Sequence, residues 1–279
     1  MDPILPTFLI VGAAKSGTSS LWHYLREHPD VYVPAGKEIN FFSDEANFSR
    51  GLDWYTSHFK SGAGKKAIGE ASPSYLFPVE AAPRMASVVP KARLVAILRN
   101  PVDRAYSHFL HARYYAMERR SFRQAFEDER QATDGRRWPF YLAFSRYLSQ
   151  LVNLTQHFRR EQLKVLLFDD LAANPLETFR TLCLHIDVDP TIIPSNVGQI
   201  TNTYRESRAT PLLRLLIRPA LGGKIPLKIW LPILRLFTRE GLSPPPIEPD
   251  LRHDLVEYFA EDNAKLGAWL DKDLSIWNK

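Results

Sequence analysis

Cysteine is almost absent from this chain: Cys183 is the only one. No disulfide can form within it, and a reducing compartment is the natural expectation. Long apolar runs are missing as well. No uncharged apolar stretch approaches the roughly 18 residues that suggest a membrane-spanning helix. The opening Met-Asp-Pro-Ile-Leu-Pro lacks the basic leader and small-residue cleavage site of a secretory signal. These absences together lead to the expectation of a cytoplasmic protein. Internal repeats and low-complexity tracts are also lacking, which excludes solenoid and disordered classes. What remains is a chain of 279 residues, 45% hydrophobic, long enough to bury one substantial core.

A charge bias spread along the chain is missing too. The net charge is +5, but Arg214, Arg218, Lys224, Lys228, Arg235 and Arg239, set against Glu240, account for the whole excess. A nucleic-acid binder would spread its cations along a face, so no nucleic-acid partner is expected.

Three short apolar runs read as buried strands: residues 8–12 (Phe-Leu-Ile-Val-Gly), 93–98 (Arg-Leu-Val-Ala-Ile-Leu) and 163–168 (Leu-Lys-Val-Leu-Leu-Phe). Each is next to helical periodicity. Leu21, Trp22 and Leu25 recur at helix spacing after Thr18, and Pro29 closes that segment. Asn100 is placed to cap a helix with Pro101 in its first turn. A long helical stretch around 141–160 leads into the third strand. Strands alternating with helices predict a parallel α/β sheet covered on both faces, with ligands at the carboxyl ends of its strands. Residues 241–249, rich in proline, read as a stiff linker, and an amphipathic helix carrying Leu251, Leu255, Tyr258, Phe259, Leu266 and Leu270 follows.

The turn Gly12-Ala13-Ala14-Lys15-Ser16-Gly17-Thr18 lies between the first strand and its helix. Such a turn aims backbone N–H groups and the helix dipole at one point, where an anionic phosphate fits. Gly12 and Gly17 have the spacing of the nucleoside-triphosphate loop G-x-x-x-x-G-K-[ST]. The residue after Gly17 is Thr18, however, and the lysine stands inside the turn at position 15. A kinase would need it after Gly17, so the loop suits a different phosphate ligand. Glycines alone arise as often for packing. Lys15 with Ser16, Thr18 and Ser19 crowds four hydrogen-bonding side chains into one turn and favours the phosphate reading.

At this point the sequence resembles a known family. Lys15-Ser16-Gly17-Thr18-Ser19-Ser20-Leu21 looks like the 5′-phosphosulfate loop of sulfotransferases that use 3′-phosphoadenosine 5′-phosphosulfate (PAPS). Leu98-Arg99-Asn100-Pro101-Val102-Asp103-Arg104-Ala105-Tyr106-Ser107 resembles their 3′-phosphate-binding strand and helix. Lys37-Glu38-Ile39-Asn40-Phe41-Phe42, Gly69-Glu70-Ala71-Ser72-Pro73-Ser74-Tyr75-Leu76 and Phe168-Asp169-Asp170-Leu171 match in the family's order. The branch is that of heparan-sulfate sulfotransferases and their bacterial relatives, and a bacterial enzyme is expected. The resemblance implies a P-loop-like three-layer sandwich with a central parallel sheet, plus a helical C-terminal region. It also implies one sulfotransferase domain over 1–279, with a donor-binding α/β core at 8–210 and a helical appendage at 211–279.

The resemblance further implies PAPS as donor, 3′-phosphoadenosine 5′-phosphate (PAP) as product and no metal. Ala14, Lys15, Ser16, Gly17, Thr18 and Ser19 would hold the 5′ end, and Arg99 and Ser107 the 3′-phosphate. Tyr204, Arg205 and Arg208 fall where the family has its last donor-binding loop. Glu38 is assigned as general base, with the Phe41-Phe42 pair behind it expected to desolvate it and raise its pKa. Lys15 is assigned to the leaving phosphate. Each has a plainer alternative: Glu38 as a solvated carboxylate beside Lys37, Arg99 as a partner of Asp103, Ser107 as a helix-surface serine. His108 and His111 read better as structural histidines than as acceptor-side catalysts. Many relatives carry a lysine where Ala71 stands, so its role is absent or supplied elsewhere, for instance by Lys37.

The acceptor is not named by the sequence; a small molecule, a glycan or a lipid all fit. Residues 211–239 suit a helical subdomain with its cations snorkelling outward, because Pro219, Pro226 and Pro232 break any long amphipathic helix. Peripheral contact of that face with an anionic membrane, or capture of an anionic acceptor, stays open. Two other functions also stay open. One is a kinase, with Asp169-Asp170 holding magnesium. The other is a nucleotide-binding module without catalysis.

Overall fold

In the computed structural model the described residues are 3–115, 117–132, 140–199 and 243–279, together with the backbone of 205–207 and 238–240. Five parallel strands form the central sheet: β1 (Phe8–Gly12), β2 (Val31–Tyr32), β3 (Ala67–Ala71), β4 (Arg93–Leu98) and β5 (Leu163–Leu167), in the order β2-β3-β1-β4-β5. β1, β4 and β5 are the three strands expected from apolar runs. β2 and β3 were not anticipated. β2 has only two residues, and β3 reads Ala-Ile-Gly-Glu-Ala, whose small residues and lone glutamate hide the strand pattern.

Alternate residues of each strand enter different cores, as the pleat requires. Leu9, Val11, Leu94, Ala96, Leu98, Val165 and Leu167 face one cluster. Phe8, Ile10, Val95, Ile97 and Leu166 face the other. Helix α1 (Thr18–Glu27) covers the second face through Leu21, Trp22 and Leu25. The helices Ala81–Val88 and Tyr147–His157 cover the first through Met85, Leu151 and Leu154. Helix Pro101–Tyr114 begins as the sequence suggests: the Asn100 side chain accepts from the Val102 and Asp103 amides, and Pro101 follows it.

Chain order reverses around β1. The strands after it run to one side through β2 and β3, and β4 then returns to its other flank. The carboxyl ends of β1 and β4 therefore meet at the switch point where α/β sheets bind ligands. Their last paired residues are Gly12 and Ala96.

The C-terminal helix Pro249–Leu270 packs directly on this core. Its Leu266, with Leu274 and Trp277 beyond it, joins the main cluster, while Leu251, Leu255 and Phe259 pack with Val102, Phe109 and Phe126. Residues 205–207 and 238–240 pair as a short antiparallel ladder, Arg205 opposite Glu240. The rest of the basic apolar segment, along with Tyr204 and Arg208, lies outside the described residues. Among the described residues no helix is long and apolar enough to cross a membrane.

Trp277 locks the chain end under the site. It is 1% exposed. Its indole N–H donates to Asp169 at 2.8 Å, and its carbonyl accepts from Asn100 Nδ2 at 3.2 Å. Trp277→Ala should lower the unfolding free energy by about 3–5 kcal/mol. Denaturant titration would read this as a reduced midpoint at unchanged slope.

Candidate active site

The turn after β1 enters α1 through Gly17, which has φ 99° and caps the helix without any side-chain hydrogen bond. No acidic residue occupies the first turn of α1. Its free N–H groups and positive dipole end are therefore open to an anion. Both glycines also have packing reasons. A Cβ on Gly12 would lie 2.6 Å from Leu76 Cβ, and one on Gly17 would meet Leu171 at 3.0 Å and Phe168 at 3.1 Å. The phosphate reading thus rests on the side chains between them.

Those side chains form a cationic pocket. Burial lowers the Lys15 pKa to about 8; Glu38 opposes the shift, while Lys37, Arg99 and Arg104 add to it. Arg99 Nη1 donates to the Lys15 carbonyl at 3.4 Å, and its guanidinium lies over the Phe168 ring at 4.7 Å. Ser16 is fully buried, and among the described residues its hydroxyl makes no hydrogen bond of good geometry, with the Tyr147 hydroxyl its near neighbour. Tyr147 instead donates to the Arg99 carbonyl at 2.8 Å. An orphaned buried hydroxyl, converging cations and an uncapped helix start together fit a phosphate or phosphosulfate group.

Lys37 links this pocket to the carboxylate. Its ammonium donates to Thr18 Oγ1 at 3.3 Å and to Glu38 Oε1 at 2.8 Å. Glu38 itself has φ 68°, and its amide donates to the Ala71 carbonyl at 3.1 Å. Its side chain is 51% exposed. The expectation that Phe41-Phe42 would desolvate it is corrected here. Both rings turn inward, Phe41 stacking on Tyr55 at 4.4 Å and Phe42 meeting Tyr75 edge-on at 5.2 Å. The carboxylate is left facing solvent.

Sequence reasoning singled out Lys15, Glu38 and Arg99, and the fold brings them together, with Thr18 and Lys37 between. Ala14 and Ser19 are half-buried on the same turn, and Ser107 is half-buried on the helix that follows Arg99. Arg99 does not pair with Asp103, because Asp103 takes Arg252 at 2.9 Å. Of the last proposed donor loop only the Arg205 backbone is described, in its short ladder. His108 and His111 both sit in reach of the Lys15 charge. Burial holds His108 well below the usual histidine value. Burial, with the Lys15 charge adding to it, also lowers His111. Asp169 is engaged by Trp277 and Asp170 faces Lys272 at 3.7 Å. Among the described residues no cluster suited to a metal ion occurs.

Two buried residues near the site had been given no role. Arg104 is wholly buried, bound to Ser145 Oγ at 2.6 Å and to the Tyr141 carbonyl; burial lowers its pKa to about 10. It adds positive charge behind Lys15. Glu70 is 1% exposed in β3. Its signal was present: a single charge inside a run of small, buried residues.

A cationic, uncapped helix start at the switch point of a parallel sheet defines a phosphate-binding α/β protein. The sulfotransferase domain family matches residues 5–207, and the chain belongs to that family. It is 38% identical over 108 residues to the membrane-associated sulfotransferase kil1 of Dictyostelium discoideum, covering 38% of this chain and 22% of that protein. It is 30% identical over 278 residues to bifunctional heparan sulfate N-deacetylase/N-sulfotransferase 1 of Caenorhabditis elegans, covering 96% of this chain and 30% of that protein. Against the human bifunctional heparan sulfate N-deacetylase/N-sulfotransferase 3, 116 residues are 40% identical, 39% of this chain and 13% of that one. The chain therefore spans under a third of the length of these curated relatives. The crystal structure of a sulfotransferase from Alicyclobacillus acidocaldarius superposes with a TM-score of 0.75 at 32% identity, over 99% of this chain and 100% of that one.

The depressed Lys15 pKa yields a pH signature. Protonated Lys15 attracts the anion, so affinity for PAP should be nearly level between about pH 7 and 8 and weaken above that, by up to about tenfold per pH unit, as free Lys15 loses its proton. Calorimetric titration across this range checks it, and Lys15→Met should abolish the inflection.

Proposed function

We propose that this protein moves the sulfuryl group of PAPS onto a hydroxyl or amine of a carbohydrate, lipid or small-molecule acceptor, with Glu38 as general base and Lys15 stabilising the leaving phosphate. The observation that carries this reading is the Lys37 bridge. It sets a half-exposed carboxylate beside the mouth of a phosphate loop, joined to Thr18 at the head of α1. Family membership supplies the donor class.

The chemistry follows from the charges. The acceptor oxygen or nitrogen attacks sulfur as the bond from sulfur to the bridging phosphate oxygen breaks. The bonding pair leaves with that oxygen, and the acceptor proton passes to Glu38. Lys15, the α1 N–H groups and the charge of Arg99 and Arg104 answer the negative charge that builds on the phosphate. Lys37, which reaches Thr18 and Glu38, is the candidate for the role that many relatives give to a lysine at the position of Ala71. Arg99 and Ser107 are assigned to the 3′-phosphate, because a guanidinium fork and a hydroxyl suit an oxyanion. The heparan sulfate N-sulfotransferases among the relatives make an amine-bearing glycan a sensible first acceptor.

Glu38→Gln should reduce turnover by about 10²–10⁴-fold while PAP affinity stays within about twofold. Transfer of labelled sulfate from PAPS to N-deacetylated heparosan, glucosamine, 2-naphthol and dodecyl glucoside would measure the first, and calorimetry the second. Normal turnover in this variant removes Glu38 as base. Arg99→Ala should erase most of the preference for PAP over adenosine 5′-phosphate. Retained preference would overturn the 3′-phosphate assignment.

A further inference from the structure

Glu70 has the most unusual surroundings of any carboxylate near the site. It lies in β3 between Gly69 and Ala71 and is 1% exposed. No lysine or arginine forms an ion pair with it among the described residues. Three hydroxyls donate to it instead: Tyr55 at 2.7 Å and Tyr75 at 2.8 Å to Oε1, and Ser72 at 2.6 Å to Oε2. Burial raises its pKa, and these hydrogen bonds work against the rise. A buried charge of this kind is expensive unless its surroundings are organised around it.

The geometry shows what the charge organises. A hydroxyl has one hydrogen, and once that hydrogen points at a carboxylate its oxygen can only accept. The Ser72 oxygen accepts the Asn40 amide at 3.0 Å. The Tyr75 oxygen accepts the Phe41 amide at 3.0 Å. A third strut comes from the neighbouring strand residue, with Ala71 O accepting the Glu38 amide at 3.1 Å. The three amides belong to the turn that carries Glu38. That turn holds two non-glycine residues in left-handed backbone conformations, Glu38 at φ 68° and Asn40 at φ 54°. Side chains disfavour this region, so the conformation persists only where hydrogen bonds over-determine it.

We propose that Glu70 is a positioning residue for sulfuryl transfer: its carboxylate fixes the Ser72 and Tyr75 hydroxyls as acceptors, and these clamp the 38–41 turn so that Glu38 faces the acceptor. The inference rests on the reading of Glu38 as base. Glu70 itself is buried within β3, so its role is to position and not to react. Glutamine in its place would keep the shape. Its amide would donate toward Ser72, leaving the Ser72 hydrogen without the carboxylate that now orients it.

The test combines amide exchange with kinetics. In Glu70→Gln, hydrogen exchange at Asn40 and Phe41 should accelerate by about tenfold or more, as expected when local opening becomes easier, with PAP affinity within about twofold. Turnover on the best acceptor of the set above, or release of sulfate from PAPS to water if none is used, should fall by about tenfold at unchanged KM. In a Glu38→Gln background the Glu70 change should cause no further loss, because it acts through that side chain. Ser72→Ala and Tyr75→Phe should each reproduce part of the effect and serve if Glu70→Gln does not fold. Unchanged exchange at those amides overturns the proposal, as does a Glu70 effect that multiplies with that of Glu38. Normal turnover in Glu38→Gln alone would instead refute the base reading, and the exchange result would still decide the clamp.

Discussion

The ammonium of Lys15 is held where its charge is disfavoured. Burial and the fields of Lys37, Arg99 and Arg104 pull its pKa down to about 8, and Glu38 is the group that works in its favour. Like charges gathered under low solvent exposure repel one another, so the pocket is strained until an anion enters. Much of the rest of the fold can be understood as what keeps these charges together. Parallel pairing of β1 with β4 brings the turn carrying Lys15 beside Arg99. Tyr147, from a helix on the sheet's first face, fixes the Arg99 backbone.

The C-terminal segment is tied into the same arrangement. Trp277 reaches back to Asp169 after β5 and to Asn100 after β4. Asn100 also caps the helix that carries Arg104 and Ser107. A disturbance at the C-terminus would therefore reach the 3′-phosphate side of the pocket through a few hydrogen bonds. On the opposite flank β3 plays the matching part, since Glu70 and its hydroxyls hold the turn with Glu38. Cations rise from β1 and β4, the candidate base from beside β3, and Lys37 joins the two.

Much of this was legible in the sequence where local rules suffice. The apolar runs of β1, β4 and β5, the Asn100-Pro101 helix start and the phosphate turn are each written in a few contiguous residues. β3 was not, because glycine, alanine and glutamate give no strand period. Phe41 and Phe42 misled for a related reason. Adjacency to Glu38 suggested that they covered it, but the turn rotates both rings into the core against Tyr55 and Tyr75. Arg104 stood inside a motif without a role, because only packing against Ser145 and Tyr141 marks it as a buried charge.

By itself, the sequence determined the phosphate turn, with its lysine in an unusual place, and the family to which that turn belongs. Those features depend on residue type at fixed spacing, which a linear string carries completely. Only the tertiary structure decided that Lys37 bridges Glu38 to Thr18, that Asp103 belongs to Arg252 rather than to Arg99, and that Glu70 is a wholly buried charge served by three hydroxyls. Each of these joins residues far apart in the chain or depends on which way a side chain turns. Both follow from how the sheet orders its strands, and no local pattern encodes that order.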